Sequence, residues 1–209
     1  MSTTDVSIAD LVVPNIPIDF SILEMISEPL SKTRSAEAWQ GGGNPFFDEF
    51  LQRVFDLGYF FSEGRERFVH QVYDELILNA VRHGSQYSPE KAVEVTFYFG
   101  RNVVYLHCRQ EQGFDHGGKM QGLRKKIKQG KIFLDENRIA VQIDDQGVQS
   151  EGGTGLCIVQ LCDGYLYNPT GTEVAVEIHM GAEAEKRFQE RCARLGCPDS
   201  FKYQPSKTL

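Results

Sequence analysis

The chain has 209 residues, of which 41% are hydrophobic and 24% are charged, and its formal net charge at pH 7 is −7. This composition is typical of an ordinary soluble globular protein with a sizeable core, and the acidic balance argues against direct nucleic-acid binding and broad attraction to anionic membranes. The apolar stretch over residues 8–26 is broken by prolines and acids, no signal peptide begins the chain, and the five cysteines lack Cys-x-x-Cys spacing, so we expect a cytoplasmic protein with reduced thiols.

The first half of the chain predicts an extension, two helices and a β-hairpin. Prolines and a glycine run at 41–43 punctuate the extension, and apolar residues then recur at helical spacing in two segments that end at Gly58 and Gly84. Alternating apolar residues on both sides of a turn at Gly100 predict the hairpin. In chain order these elements are predicted over residues 1–44, 45–57, 62–83, 93–99 and 103–108.

The second half predicts a long insertion, further strands and a final helix. Residues from about 115 to 151 are rich in glycine and charge, and we expect them to form a lid. We also predict a basic helix, a small hairpin, a helix that follows glycines, two strands and a last helix, over residues 122–129, 131–134 with 138–143, 156–162, 165–168 with 173–179, and 182–195. Residues 181–209 are thus expected to be a C-terminal helix and tail.

The second helix carries a polar stripe. Glu75, Asn79 and His83 follow one another at steps of four, which places them on one helix face. Apolar residues cover much of the remaining surface of this helix. The stripe therefore faces either a pocket with polar contents or solvent, and the spacing alone leaves both interpretations open.

A glycine-rich segment over residues 152–155 opens the helix predicted at 156–162. Backbone N–H groups can approach phosphates closely at such a helix start, and the helix N-terminus favours anions. The candidate contacts are Gly153, Thr154, Gly155 and Leu156. An ordinary flexible loop is the competing interpretation.

The segment Glu75-x-x-x-Asn79-Ala80-x-x-His83-Gly84 resembles the N-box of the GHKL (histidine-kinase-like) ATPase superfamily, and most closely that of the bacterial anti-sigma-factor serine/threonine kinases. The glycine segment at 152–155 and the Gly-Thr pair at 171–172 resemble later motifs of that family, in the same order. The resemblance covers residues 45–180. It implies an α+β fold, a two-layer α/β sandwich in which helices pack on one face of a mixed, mostly antiparallel sheet.

The resemblance also implies roles for the residues that match. Asn79 corresponds to the ligand of the Mg²⁺ that bridges the ATP phosphates, and Glu75 to the general base that accepts the proton of the attacking hydroxyl. His83 and Gly84 correspond to pocket residues, and the glycine segment to phosphate contacts. Thr172 matches a threonine near the adenine.

The chain departs from the family at the Asp-x-Gly-x-Gly motif, whose Asp accepts a hydrogen bond from the adenine amino group. In one alignment Arg109 replaces the Asp, and arginine cannot accept a hydrogen bond. In a second alignment Glu111 replaces it, and Gly113 is the first glycine. Asp144-Asp145-Gln146-Gly147 is a third candidate, but it lies too close to Gly152 for the family's order. Glu111 and Gly113 are the candidates that we carry forward.

The expected function is that of an ATP- and Mg²⁺-dependent serine/threonine protein kinase. By resemblance, it phosphorylates a serine on a STAS-type anti-anti-sigma protein, binds a sigma factor or an equivalent regulator, and can form a homodimer. The damaged motif favours one alternative, a binding module of the same fold with weak or no ATP affinity. The catalytic domain of a sensor histidine kinase fits less well, because no phosphoacceptor hairpin precedes the module. A Walker A loop at 113–120 fits less well too, since Met120 stands where Ser or Thr is required.

Overall fold

A computed structural model describes residues 19–20, 23–40, 45–113, 132–134, 140–143, 149–150 and 162–195. Its elements, in chain order, are β1 (Leu30–Ser35), α1 (Ala36–Gln40), α2 (Pro45–Asp56), α3 (Glu63–Asn79) with a π-helical turn (Ala80–Gly84), β2 (Ala92–Gly100), β3 (Val103–Gln110), β4 (Ile132–Leu134), β5 (Ala140–Ile143), β6 (Gln149–Ser150), β7 (Gly164–Tyr167), β8 (Glu173–His179) and α4 (Ala182–Leu195).

Two antiparallel sheets organise these elements. The larger has the strand order β1-β2-β3-β8-β7, and the smaller has the order β4-β5-β6. Every strand pair in the described part of the chain is antiparallel. The fold therefore belongs to the α+β class. Among the described residues, no helix combines the length and the apolar character needed to cross a membrane.

Most of the predicted helices and strands are confirmed. Helices α2, α3 and α4, the β2–β3 hairpin, the small β4–β5 hairpin and strands β7 and β8 agree with the sequence patterns to within about two residues. Helix α3 begins where the pattern predicts, because Ser62 Oγ accepts the Arg65 N–H at 3.3 Å and caps the first turn. The helices predicted at 122–129 and 156–162 fall outside the described residues, apart from position 162.

Phe97, on β2, is the centre of the core. Its ring stacks on Phe50 of α2 at 4.0 Å and lies 6.0 Å from Tyr73 of α3. All three side chains are fully buried. Helix α4 joins the same core through Phe188, whose ring centroid is 5.1 Å from that of Phe68. These contacts hold the helices on one face of the large sheet.

Strand β1 is not predicted by the sequence pattern. Its residues Leu30 to Ser35 pair in register with Phe97 to Ala92 of β2. The segment contains one large apolar residue and five polar ones, so its alternation is too weak to identify a strand. Its position comes instead from hydrogen bonding to β2, which is a tertiary interaction.

A buried group of charges joins α3 to β8 and α4. The Arg65 side chain is only 2% exposed, and its Nη2 donates to the His179 carbonyl and lies 3.5 Å from Asp163 Oδ2. Asp163 Oδ1 accepts from Arg191 Nη2 at 2.7 Å, and Asp163 Oδ2 accepts the His179 backbone N–H at 2.8 Å. Glu185 Oε2 lies 3.8 Å from Arg65 Nη1. Asp163 therefore binds three separate elements at once.

Replacing Asp163 with Asn should lower the free energy of unfolding by about 3 kcal/mol, because it removes the main countercharge of a buried arginine. Burial raises the pKa of the Asp163 carboxyl, but Arg191 and the His179 N–H outweigh burial and hold that pKa below its usual range. The stabilisation is therefore complete above the unfolded pKa of about 3.9 and is lost as the pH falls through the folded pKa.

Urea unfolding at pH 7 and at a series of acid pH values measures both effects. The control is Asp74→Asn on α3, whose exposed carboxylate pairs with an exposed histidine; it should change stability by less than about 0.5 kcal/mol. Equal effects of the two substitutions would contradict the assignment of Asp163 as the centre of the buried group.

Candidate functional site

The polar stripe of α3 occupies the C-terminal half of the helix. Glu75 is half-buried, whereas Asn79 and His83 are exposed. The adjacent Leu76 and Ile77 are buried in the core, at 6% and 7% exposure. The stripe therefore runs along the border of the core, and its three side chains remain accessible from outside.

The stripe ends in a π-helical turn, Ala80–Gly84. The Ser85 N–H donates to the Ala80 carbonyl, five residues earlier, at 2.8 Å. Such turns insert one extra residue into an α-helix and occur frequently at functional sites. Gln86 and Tyr87 follow with φ values of 52° and 60°, in the left-handed region. The chain thus changes direction immediately after Gly84.

Gly84 provides a notch for the Gln110 side chain at the end of β3. A Cβ atom built on Gly84 would lie 2.0 Å from Gln110 Oε1 and 2.2 Å from Cδ. Non-bonded heavy atoms cannot approach so closely, so the carboxamide takes this position only because Gly84 has no side chain. The φ of Gly84 is not in the left-handed region. Glycine is therefore favoured at position 84 by the lack of room for a side chain, and not by the backbone conformation.

The turn between β7 and β8 meets the same side chain. Gln110 Nε2 donates to the Gly171 carbonyl at 3.2 Å, and the Gln110 backbone N–H donates to the Thr172 carbonyl at 2.9 Å. Gly171 has a φ of 68°, which favours glycine. Thr172 Oγ1 accepts from Asn168 Nδ2 at 3.0 Å, which fixes its side chain.

Gly113 packs against the same β7–β8 turn. A Cβ atom built there would lie 2.1 Å from the Thr170 carbonyl oxygen, and 3.8 Å from the Thr172 methyl group. A backbone oxygen cannot move aside as a side chain can, so the close approach requires glycine. We call the group formed by Gly84, Gln110, Gly113, Gly171 and Thr172 the glycine junction.

The two residues that replace the family's Asp in the alternative alignments, Arg109 and Glu111, have side chains that lie elsewhere. Arg109 has a side chain that is 62% exposed and approaches Glu173 on the sheet face opposite the core. Glu111 is exposed, and its Oε1 accepts the Ala92 N–H at 3.2 Å, at the start of β2. The structure therefore brings Gly113 and Thr172 together and links Gly84 to them through Gln110, whereas the Glu111 side chain bonds to the start of β2.

Gln110 is not among the site residues predicted from the sequence. The core-facing positions of β3 are the alternate ones, namely Val104, Leu106, Cys108 and Gln110. Strand alternation alone could have identified Gln110 as the residue that faces α3. The family motif instead directs attention to its two neighbours, Arg109 and Glu111, whose side chains do not face the helix.

Some predicted contacts are outside the described residues, namely Gly153, Thr154, Gly155 and Leu156. Within the described ranges, no group of three or more His, Cys, Asp or Glu side chains could hold a metal ion. The exposed amide of Asn79 is nevertheless suited to a Mg²⁺ ion that arrives with a nucleotide, because such an ion takes one or two protein ligands, with phosphates and water completing its shell.

Comparison with known protein families gives no match for this chain. A search of curated proteins likewise finds no significantly similar protein.

Replacing Gly84 with Ala should lower the free energy of unfolding by about 1–3 kcal/mol, because the new methyl group overlaps the buried Gln110 carboxamide. The same substitution in a Gln110→Ala background should cost less than about 0.5 kcal/mol, since the overlap is then gone. Urea unfolding of the four proteins of this double-mutant cycle tests the notch. If Gly84→Ala lowers the free energy of unfolding equally in both backgrounds, the Gln110 side chain does not depend on the notch at Gly84.

Proposed function

We propose that the chain is a GHKL-type nucleotide-binding module that acts as an ATP-dependent serine/threonine protein kinase and anti-sigma-factor-like regulator. The glycine junction carries the proposal. Three segments at the positions of family motifs, far apart in sequence, are linked there: Gly84 packs against Gln110, which bonds to the turn of Gly171 and Thr172, and Gly113 packs against the same turn. The α+β class and the antiparallel sheet are compatible with the two-layer sandwich of that superfamily.

The stripe residues supply the chemical groups that phosphoryl transfer requires. The Asn79 amide oxygen would hold Mg²⁺, which neutralises the phosphates and positions them for attack. The Glu75 carboxylate, four residues earlier on the same face, would accept the proton of the attacking serine hydroxyl. Glu75 is half-buried and lies next to core residues along the helix. His83 and Gly84 would border the nucleotide.

The proposed substrate is a serine on a STAS-type anti-anti-sigma protein, and the second partner is a sigma factor or an equivalent regulator. This assignment rests on the N-box resemblance. Phosphorylation would add about −1.5 to −2 charges to the STAS protein at pH 7. That change is large enough to switch which partner the kinase binds.

A second candidate is a regulatory binding module of the same fold with weak or no ATP affinity. One specific observation favours it. The glycine junction contains no carboxylate, since its core-facing side chain is Gln110, while Arg109 and Glu111 lie elsewhere. Nucleotide binding by the purified protein distinguishes the two candidates.

Isothermal titration calorimetry with Mg-ATP should detect binding to the wild-type chain. Asn79→Ala should weaken that binding at least about tenfold, because it removes a ligand of the metal–phosphate group, an interaction worth about 1.5–3 kcal/mol. Asp74→Ala, an exposed position on another face of α3, should bind as the wild type does. Absence of binding at millimolar Mg-ATP would refute the kinase and leave the binding module.

Glu75→Gln should reduce phosphate transfer to a cognate STAS protein about 100-fold or more, because loss of a general base typically costs that much. Its ATP affinity should stay within about twofold of the wild type, since the substitution preserves shape. Transfer of radiolabelled γ-phosphate measures the rate. Glu66→Gln, an exposed acid in the first turn of the same helix, is the control and should retain full activity. Retained transfer by Glu75→Gln would remove Glu75 as the base.

A further inference from the structure

The face of the large sheet opposite the helices carries an aromatic cluster, formed by Tyr98 of β2 with Tyr105 and His107 of β3. These side chains point away from the helices, because the alternate positions of both strands are buried in the core. Their neighbours on the same face, Glu94 and Arg109, are charged. Aromatic side chains within a polar rim are the arrangement from which protein-docking surfaces are built.

Phe20, from the segment that precedes β1, occupies this cluster. Its ring stacks on Tyr98 with 4.0 Å between centroids, and it meets the other two rings edge-on at 5.6 and 5.2 Å. Phe20 belongs to no helix or strand and is half-buried. The chain next bonds to the sheet at Ile26, whose N–H donates to the Phe99 carbonyl at 2.8 Å. Phe20 can therefore leave the cluster without any change in strand pairing or in the helix-side core.

Carboxylates form a rim around the aromatic cluster. Burial raises the pKa of Tyr98, and the nearby Glu94 and Glu173 carboxylates raise it further. Burial likewise raises the pKa of Tyr105, together with the Glu177 carboxylate, to about 12. We call these three glutamates the acidic rim. A positively charged group placed beside the rings would be attracted to it.

The chain's own occupant does not match the charge of the acidic rim. Asp19 precedes Phe20 and Glu24 follows in the same segment, so the segment that carries the ring is itself acidic. The cations Arg109 and His179 already lie close to carboxylates of the rim. An aromatic side chain with lysine or arginine on either side would make the same ring contacts and would also gain attraction to the rim.

We propose that the aromatic cluster and the acidic rim form a docking site for a protein partner that presents an aromatic side chain flanked by basic residues, and that Phe20 competes with this partner as an intramolecular occupant. The partner binds only the fraction of molecules in which Phe20 has left the cluster, so its apparent affinity is reduced by that fraction. The inference does not depend on nucleotide binding, because the polar stripe and the glycine junction lie on the helix side of the sheet.

The test is calorimetry with a synthetic peptide in which a phenylalanine is flanked by lysines on both sides. Phe20→Ala should bind this peptide at least about tenfold more tightly than the wild type, because the competing ring is removed. The control is Phe60→Ala, which removes a side chain that is 79% exposed between α2 and α3; it should bind as the wild type does. Equal binding by the wild type and Phe20→Ala, or no binding by either, would overturn the inference.

Two changes in the Phe20→Ala protein test the chemistry of the site. Replacing the phenylalanine of the peptide with alanine should weaken binding at least about tenfold. Glu94→Gln should weaken binding of the lysine peptide about two- to fivefold, the effect of an exposed ion pair, and leave binding of a peptide with serines in place of the lysines unchanged. Thermal unfolding checks that each variant is folded. Undiminished binding of the alanine peptide, or an equal effect of Glu94→Gln on both peptides, would overturn the assigned recognition.

Discussion

The remainder of the architecture depends on one buried cation. Burial lowers the pKa of Arg65, and the Asp163 and Glu185 carboxylates act in the opposite direction. An arginine so deeply buried is tolerated only with such partners, because the desolvation of an unpaired charge costs several kcal/mol. Asp163 immediately precedes β7, and Glu185 lies on α4. The N-terminal end of α3 therefore has a fixed position relative to the sheet, and the direction of the whole helix follows from it.

Because helix α3 is continuous, the position of its N-terminal end also determines the position of its C-terminal end. The helix is continuous over Glu63–Asn79, and its Tyr73 ring stacks on Phe97 of β2. The position of its N-terminal end therefore also determines where Gly84 lies against Gln110 on β3. The position of α3 on the sheet thus determines the locations of both the polar stripe and the glycine junction. A nucleotide bound there would contact side chains from the helix and backbone from two turns, and the turns can hold it only if glycine allows the backbones to approach.

Sequence patterns were sufficient for elements with strong periodicity. Helices α2, α3 and α4 each combine an apolar face with a clear end, and the central strands alternate. Sequence patterns were insufficient where tertiary contacts determine the structure. Strand β1 is polar and forms because β2 offers it hydrogen-bonding partners. Gln110 was missed because a motif comparison counts positions along the chain, whereas the pleat of β3, which strand alternation does indicate, decides which of three neighbours faces the helix.

The composition of β1 has a further consequence for self-association of the protein. Among the strands that the structure describes, β1 is the outermost on one side of the five-stranded sheet, and such an edge presents backbone groups to which another chain could add. Its last five residues are all polar, and two are cations. Lys32 lies over the ring of Phe46 and Arg34 over that of Trp39, at 5.5 and 5.1 Å. The same side chains thus cover the margin of the aromatic core and place positive charge along the border, which opposes edge-to-edge aggregation.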